Sequence, residues 1–163
     1  MSEKEIIAIN NNPEYDQLLL NVGETLEHGR QQAVYAVNSA MVQTYWEIGR
    51  QIVEYEQHGS EKAEYGSDVL NRLSRDLTDR YGKGFSHSNV VYMRRLYLTY
   101  PKSQTLSDFL TWSHYIELLK IDDPLERSFY EKECEEEHWG VRELKRQMKS
   151  MLFHRLALST DKQ

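Results

Sequence analysis

The chain has 163 residues, of which 39% are hydrophobic and 28% charged, a balance that suits one soluble globular domain or two small ones. Its net charge of −6 argues against a broad affinity for nucleic acid, and its one cysteine, Cys134, excludes an internal disulfide. No apolar run approaches the roughly 20 residues of a membrane span, and the opening MSEKEIIAINNN lacks the layout of a signal peptide; the expected setting is the cytoplasm, with no membrane partner.

Residues 1–12 read as a disordered N-terminus. Asn12-Pro13 then reads as a cap followed by a proline in the first helical turn. From there Leu19, Val22, Leu26, Ala33, Val37, Ala40, Ile48, Ile52 and Tyr55 recur at helical spacing, and nothing interrupts them before His58-Gly59. One straight helix would be on the order of 65 Å long. Gly23, Gly29 and Gly49 can bend it or admit a second helix at close range. The pattern fits a kinked pair inside one monomer and a dimerisation arm equally well.

SDVLNRLSRDLTDRYG predicts the next helix, with Ser60 or Ser67 as its cap. Val69, Leu70, Leu73, Leu77 and Tyr81 form its apolar stripe, and Gly82 stands at a left-handed C-cap. GKGF follows, and Ser86 caps a third helix that ends at Pro101. Phe85 and Val90 flank the cap as a hydrophobic staple. Two helices joined by a short glycine-containing turn, over 60–101, have the layout of a helix-turn-helix.

On a helical wheel Val90, Met93, Leu96, Tyr97 and Tyr100 face the core. His87, Ser88, Val91, Tyr92, Arg95 and Thr99 lie opposite. Arg94 falls at the border and either snorkels or pairs with an acid. Ser88, Asn89, Tyr92 and Arg95 carry donors suited to base edges or phosphates, although Asn89 leans inward and could instead brace the turn. Lys83 and the amides after Ser86 suit a phosphate, because a helix N-terminus attracts anions. The competing reading is the solvated face of an ordinary amphipathic helix. Gly-Lys-Gly-Phe-Ser lacks the spacing and ending of a Walker A loop.

Residues 102–111 read as a loop. Trp112-Ser113 opens a short helix, and Asp123-Pro124-Leu125-Glu126 opens another as a cap, a proline and a capping-box glutamate. Gly140 breaks it near His138, and VRELKRQMKSMLFHRLAL reads as one last helix. Val141, Leu144, Met148, Met151 and Leu152 face its core side, while Arg142, Lys145, Arg146 and Lys149 make a basic stripe. The stripe suits phosphates; it also suits the helix dipole, which favours cations near a C-terminus. Phe153 and Leu156 flank it, and exposure there would point to another chain or a following domain. No period-2 strand stands out, so the fold expected over 13–159 is all-α: a long N-terminal helix over 13–58, straight or kinked, then a helix-turn-helix-like bundle with a C-terminal helical unit over 112–158. Residues 160–163 form a tail.

Charge alternates along the chain. Residues 1–66 hold four cations and eleven acids, residues 67–102 seven and three, residues 103–137 three and ten, residues 138–163 six and two. Because screening confines charge effects to about 8–10 Å, a basic patch can act inside an acidic protein.

Catalytic constellations are missing from the sequence. The six histidines show no metal-ligand spacing, and no cofactor motif is present. Glu133, Glu135, Glu136, Glu137 and His138 point in different directions around a helix, which fits a solvated face better than a metal site. Cys134 sits among acids that raise a thiol pKa, so it reads as buried or idle.

AVNSAMVQTYWEIGRQI, AEYGSDVLNRLSRDLTDRYGKGFSHSNVVYMRRLY, LTWSHYIELLKIDDPLERSFYEKECEEEHWGVRELKRQM and LFHRLALS together resemble the N-terminal domain of the YhcG-like family of bacterial proteins, across roughly residues 30–159. YWEIG, YGKGFS, LTWSHY and the Trp-x-Val-Arg-Glu-Leu spacing carry the resemblance jointly. It implies a helix-turn-helix-like, DNA-associated module that precedes a PD-(D/E)XK nuclease-like domain, in cis or in a longer homologue. The nuclease signature is absent from these 163 residues, so the chain reads as a shortened or stand-alone form without catalysis of its own. The family pattern carries arginines just after the YGKGFS serine; His87 and Ser88 stand there here. Gly140 replaces an expected capping serine. The resulting expectation is a double-stranded DNA-binding or DNA-positioning module, dimeric, with contacts from Lys83, Ser86, His87, Ser88, Asn89, Tyr92, Arg95, Arg142, Lys145, Arg146 and Lys149. The alternatives are a protein-interaction or dimerisation scaffold without direct DNA contact and a self-contained enzyme.

Overall fold

A computed structural model describes residues 12–58 and 66–160. Among them are seven α-helices and no strand: α1 (Pro13–His58), α2 (Gly66–Tyr81), α3 (His87–Thr99), α4 (Trp112–Leu119), α5 (Pro124–Glu137), α6 (Val141–Lys149) and α7 (Leu152–Thr160), with a 3-10 turn at Ser103–Thr105. The all-α expectation holds. The expectations for residues 1–11, for a cap at Ser60 and for the tail after Thr160 lie outside the described residues.

The chain divides into two units, Met1–Val37 and Asn38–Gln163. In the first, Asn12 caps α1 as expected: its Oδ1 accepts from the Glu14 amide at 3.0 Å. α1 is a single helix from Pro13 to His58. Tyr15, Leu18, Leu19, Leu20, Val22, Leu26, Val34 and Val37 are all exposed.

In the second unit, α1 buries Val42, Gly49, Ile52 and Val53. The Trp46 indole donates to the Tyr100 carbonyl at 2.7 Å, and its ring meets Tyr97 edge-on at 5.3 Å. Gly49 lets α1 and α3 touch: an added Cβ would collide with the Met93 carbonyl oxygen. Of the three α1 glycines, this one admits a helix; a Cβ at Gly23 or Gly29 meets nothing within 4 Å. Two apolar clusters result. The larger gathers Val42, Leu96, Tyr100, Leu110, Tyr115, Leu118, Tyr130 and Leu144 among others; the smaller joins Ile52, Leu70 and Val90, with Phe85 against it. Val90, Met93 and Leu96 of α3 are fully buried, and each contributes about 1.5–3 kcal/mol on transfer from water. Arg94 Nε donates to both carboxylate oxygens of Glu56, each at 2.9 Å, an ion pair that resolves its border position.

Five sequence expectations change. Met151, expected on the core side of the last helix, is exposed. Tyr81 is exposed rather than part of the α2 stripe. Glu126 does not close a capping box; Asp123 caps the Leu125 amide at 3.1 Å, and Glu126 lies 3.4 Å from His154 instead. α5 ends because His138 turns left-handed (φ 54°), while Gly140 in extended conformation (φ −71°) opens α6. The last helix is two helices, α6 and α7, separated where Met151 adopts φ 57°.

Candidate nucleic-acid interface

The turn between α2 and α3 is built from both sides. Gly82 (φ 83°) and Gly84 (φ 105°) take left-handed conformations that a Cβ disfavours. The Gly82 amide donates to the Thr78 carbonyl at 2.9 Å, closing α2. The Ser74 hydroxyl donates to the Phe85 carbonyl at 2.6 Å. Ser86 caps α3, its Oγ accepting from the Asn89 amide at 3.2 Å, and the Asn89 side chain donates to the Gly84 carbonyl at 3.1 Å. Asn89 thus braces the turn. His87 and Ser88 remain exposed in the first turn of α3, and Lys83 is exposed on the turn, with no partner among the described residues.

Further along α3, Tyr92 is half-buried and the Arg95 guanidinium lies 5.6 Å from its ring centroid. Arg95 Nη1 also donates to the Leu119 carbonyl at 3.2 Å. That carbonyl ends α4, where the helix dipole concentrates negative charge. α4 itself is fixed by Thr111, which accepts from the His114 amide, and by His114. The His114 ring is buried between the Thr111 amide at Nδ1 (3.1 Å) and the Trp139 carbonyl at Nε2 (2.7 Å). A carbonyl only accepts, so Nε2 carries the proton and Nδ1 accepts. The ring is committed to structure.

α6 approaches the same end of α4. Leu144 is buried, and Arg142, Lys145, Arg146 and Lys149 are exposed on the opposite side, as the wheel predicts. Glu117, largely buried on α4, sits 2.9 Å from Lys120 Nζ and 3.7 Å from Lys145 Nζ. The hydrogen bond to Glu117 raises the Lys120 pKa. Arg146 is taken by its own helix: Glu143 accepts from it at 2.7 and 2.9 Å, and this bond lowers the Glu143 pKa. Folding therefore brings Arg95, Lys120 and Lys145 around the C-terminal end of α4, from three segments of the chain. Arg142 and Lys149 share the α6 face with Lys145 and have no partner among the described residues. His87 and Ser88 belong to the other end of α3, roughly 10–12 Å from Arg95 at the helical rise, and Ser86 and Lys83 precede them on the cap and the turn.

Lys120, Glu117 and the Leu119 carbonyl escaped the sequence reading. A lysine directly after the Leu118-Leu119 pair, at a helix end, is a usable signal for Lys120. The three-residue spacing of Glu117 and Lys120 is a local signal for their ion pair; the contact of Glu117 with Lys145 forms only when α6 packs beside α4.

Elsewhere, burial first and the neighbouring glutamates second push the Cys134 thiol up to about 12, which removes it as a nucleophile at neutral pH. Burial likewise raises Glu131, which accepts from the Tyr100 hydroxyl at 3.0 Å. Among the described residues no group of three or more His, Cys, Asp or Glu side chains is placed to hold a metal, and no helix is long and apolar enough to cross a membrane.

The family model described as the DUF1016 N-terminal domain matches residues 21–155. The chain belongs to the DUF1016 N-terminal domain family. It is also 36% identical, over 180 aligned positions, to the Escherichia coli (strain K12) protein named "Putative nuclease YhcG", and the alignment covers 91% of this chain and 48% of that protein. The YhcG-like resemblance read from YWEIG, YGKGFS and LTWSHY is thus established, and this DUF1016 N-terminal domain spans about half the length of its relative. No solved structure matches it significantly.

Proposed function

We propose that this DUF1016 N-terminal domain is a non-catalytic, cytoplasmic module that binds double-stranded DNA through α3 and α6 and positions a nuclease-type partner domain on it, with α2 and α3 acting as a helix-turn-helix-like pair. The observation that carries the reading is the convergence of Arg95 and Lys145, distant in sequence, on the end of α4. Arg142, Lys149 and Lys120, near that end and open to solvent, suit a phosphate backbone, and Lys83, open to solvent on the turn before α3, offers a further cation. Ser88 and His87, exposed in the first turn of α3, are the side chains placed to reach bases. Ser86 and Asn89 support them by holding the turn. The kinship with a protein named as a nuclease agrees in chemistry.

Fluorescence anisotropy with a labelled duplex tests the reading. Affinity is expected to fall steeply between about 50 and 200 mM salt. Arg142→Ala with Lys149→Ala is expected to lower the slope of log K against log salt by about 2. Absence of binding at low salt, or binding insensitive to these changes, overturns it. Incubation with duplex and magnesium is expected to leave the DNA intact.

A second reading rests on a separate observation, the exposed apolar residues of α1 between Tyr15 and Val37. They make the first unit a dimerisation arm. The two readings are compatible, since helix-turn-helix proteins commonly bind paired half-sites as dimers.

A further inference from the structure

The two solvent-facing glycines of α1 are unexplained by contacts among the described residues. Each costs a helix interior about 1 kcal/mol relative to alanine, yet a Cβ at Gly23 or Gly29 meets nothing within 4 Å. Gly49, on the same helix, is offset by its packing on α3; these two have no such compensation.

The heptad that includes Gly29 points to what would approach them. Tyr15, Leu19, Val22, Leu26, Gly29 and Ala33 fall at alternating d and a positions. The four large ones are between 45% and 58% exposed, too open for residues at home in a core. Their sizes are graded: bulky at the N-terminal end, small at the C-terminal end. A parallel pairing would set Tyr15 on Tyr15 and leave Gly29 facing Gly29. An antiparallel pairing of two copies sets Tyr15 against Ala33, Leu19 against Gly29 and Val22 against Leu26, each twice. The bulkiest residues then meet the smallest, and the middle layers pair two side chains of similar size.

Charge selects the same arrangement. Asp16 and Arg30 both occupy e positions, and antiparallel helices bring e against e. This register places Asp16 of each copy beside Arg30 of the other, giving two symmetric ion pairs. It places Gly23 beside Gly23 at the two-fold axis, where the helices cross most closely. Glu14, Glu24 and Glu27 stay on the outer face. Shifting the pairing by one heptad in either direction leaves Arg30 without an acid opposite it, and so does the parallel arrangement.

The geometry points to a second copy of this chain as the occupant of the α1 arm, bound antiparallel through Tyr15–Ala33 with Asp16 and Arg30 exchanged between copies. The inference rests on the dimeric reading above and specifies its mode.

Two differently tagged variants, Val22→Cys and Leu26→Cys, test it under mild oxidation; buried Cys134 stays in both. Mixing them is expected to give disulfides that join a V22C chain to an L26C chain, whereas V22C alone is expected to stay uncross-linked. Asp16→Arg alone is expected to weaken the dimer about five- to ten-fold by analytical ultracentrifugation, and Asp16→Arg with Arg30→Asp to restore it. A dimer in which V22C chains cross-link to each other, or one indifferent to both charge changes, overturns the antiparallel mode while leaving dimerisation standing. A chain that sediments as a monomer at all concentrations removes both.

Discussion

Arg95, Arg142 and Lys149 present the same charge to solvent but differ in what they hold. Arg95 is tied to the Leu119 carbonyl and lies over Tyr92; Arg142 and Lys149 have no partner among the described residues. Arg95→Ala is therefore expected to lower both DNA affinity and stability, the latter by about 0.5–1 kcal/mol for a partly solvated charged hydrogen bond. Arg142→Ala is expected to lower affinity with the urea midpoint unchanged. Glu131 behaves differently, since its pKa is raised above the ordinary carboxylate value, chiefly by burial. The folded state therefore holds the Glu131 proton more tightly than the unfolded chain does, so its contribution to stability is full below the ordinary value and declines as pH rises through the raised one. Glu131→Gln keeps an acceptor for the Tyr100 hydroxyl and cannot ionise. Its urea midpoint is expected to gain on the wild type as pH climbs from the ordinary carboxylate range to neutrality; parallel curves for the two proteins would refute the burial account.

At the scale of elements, the α1–α3 crossing has no slack. Gly49→Ala must push α3 away at the Met93 carbonyl, at an expected cost of about 3 kcal/mol or more, the upper range for overpacking. Gly23→Ala serves as the comparison, since its Cβ meets nothing within 4 Å among the described residues; thermal melts of the two variants should move apart. The break between α6 and α7 carries its own strain, because Met151 is exposed and left-handed. Met151→Asn is expected to stabilise by about 1 kcal/mol, since asparagine tolerates this conformation better. These elements show where the sequence was readable. Asn12-Pro13, Gly82, Ser86 and Asp123 each carry a cap in their own chemistry, so helix starts and stops fell where local rules put them. Lys149-Ser150-Met151 carries no glycine or proline, and a left-handed methionine has no local signature. Tertiary packing chose that break. The same limit governed the candidate surface: the helical wheel separated Leu144 from Arg142, Lys145 and Lys149, but the Glu117–Lys145 and Arg95–Leu119 contacts cross the fold and have no local signature.

For the whole molecule, alternating charge blocks matter through how folding juxtaposes them. The acidic block over 103–137 contributes Glu117, which lies against cations from two segments. It partly neutralises the surface proposed for DNA. Glu117→Gln is expected to free Lys120 and Lys145 and tighten duplex binding about three- to ten-fold, with a steeper salt slope. Weaker binding would mean that Glu117 positions those lysines rather than competing for them. The net charge of −6 is then compatible with a polyanionic partner, because the acids of α1 and α5 are carried on other helices.

The near-contact of two backbones at Gly49 also bears on how the molecule opens. Where main chains lie that close, neither helix can fray without releasing its neighbour, so the amides around Gly49–Val53 and Val90–Leu96 belong to one cooperative block. Placed in deuterium oxide, that block should be the last to take up label, and both stretches should do so at a single rate.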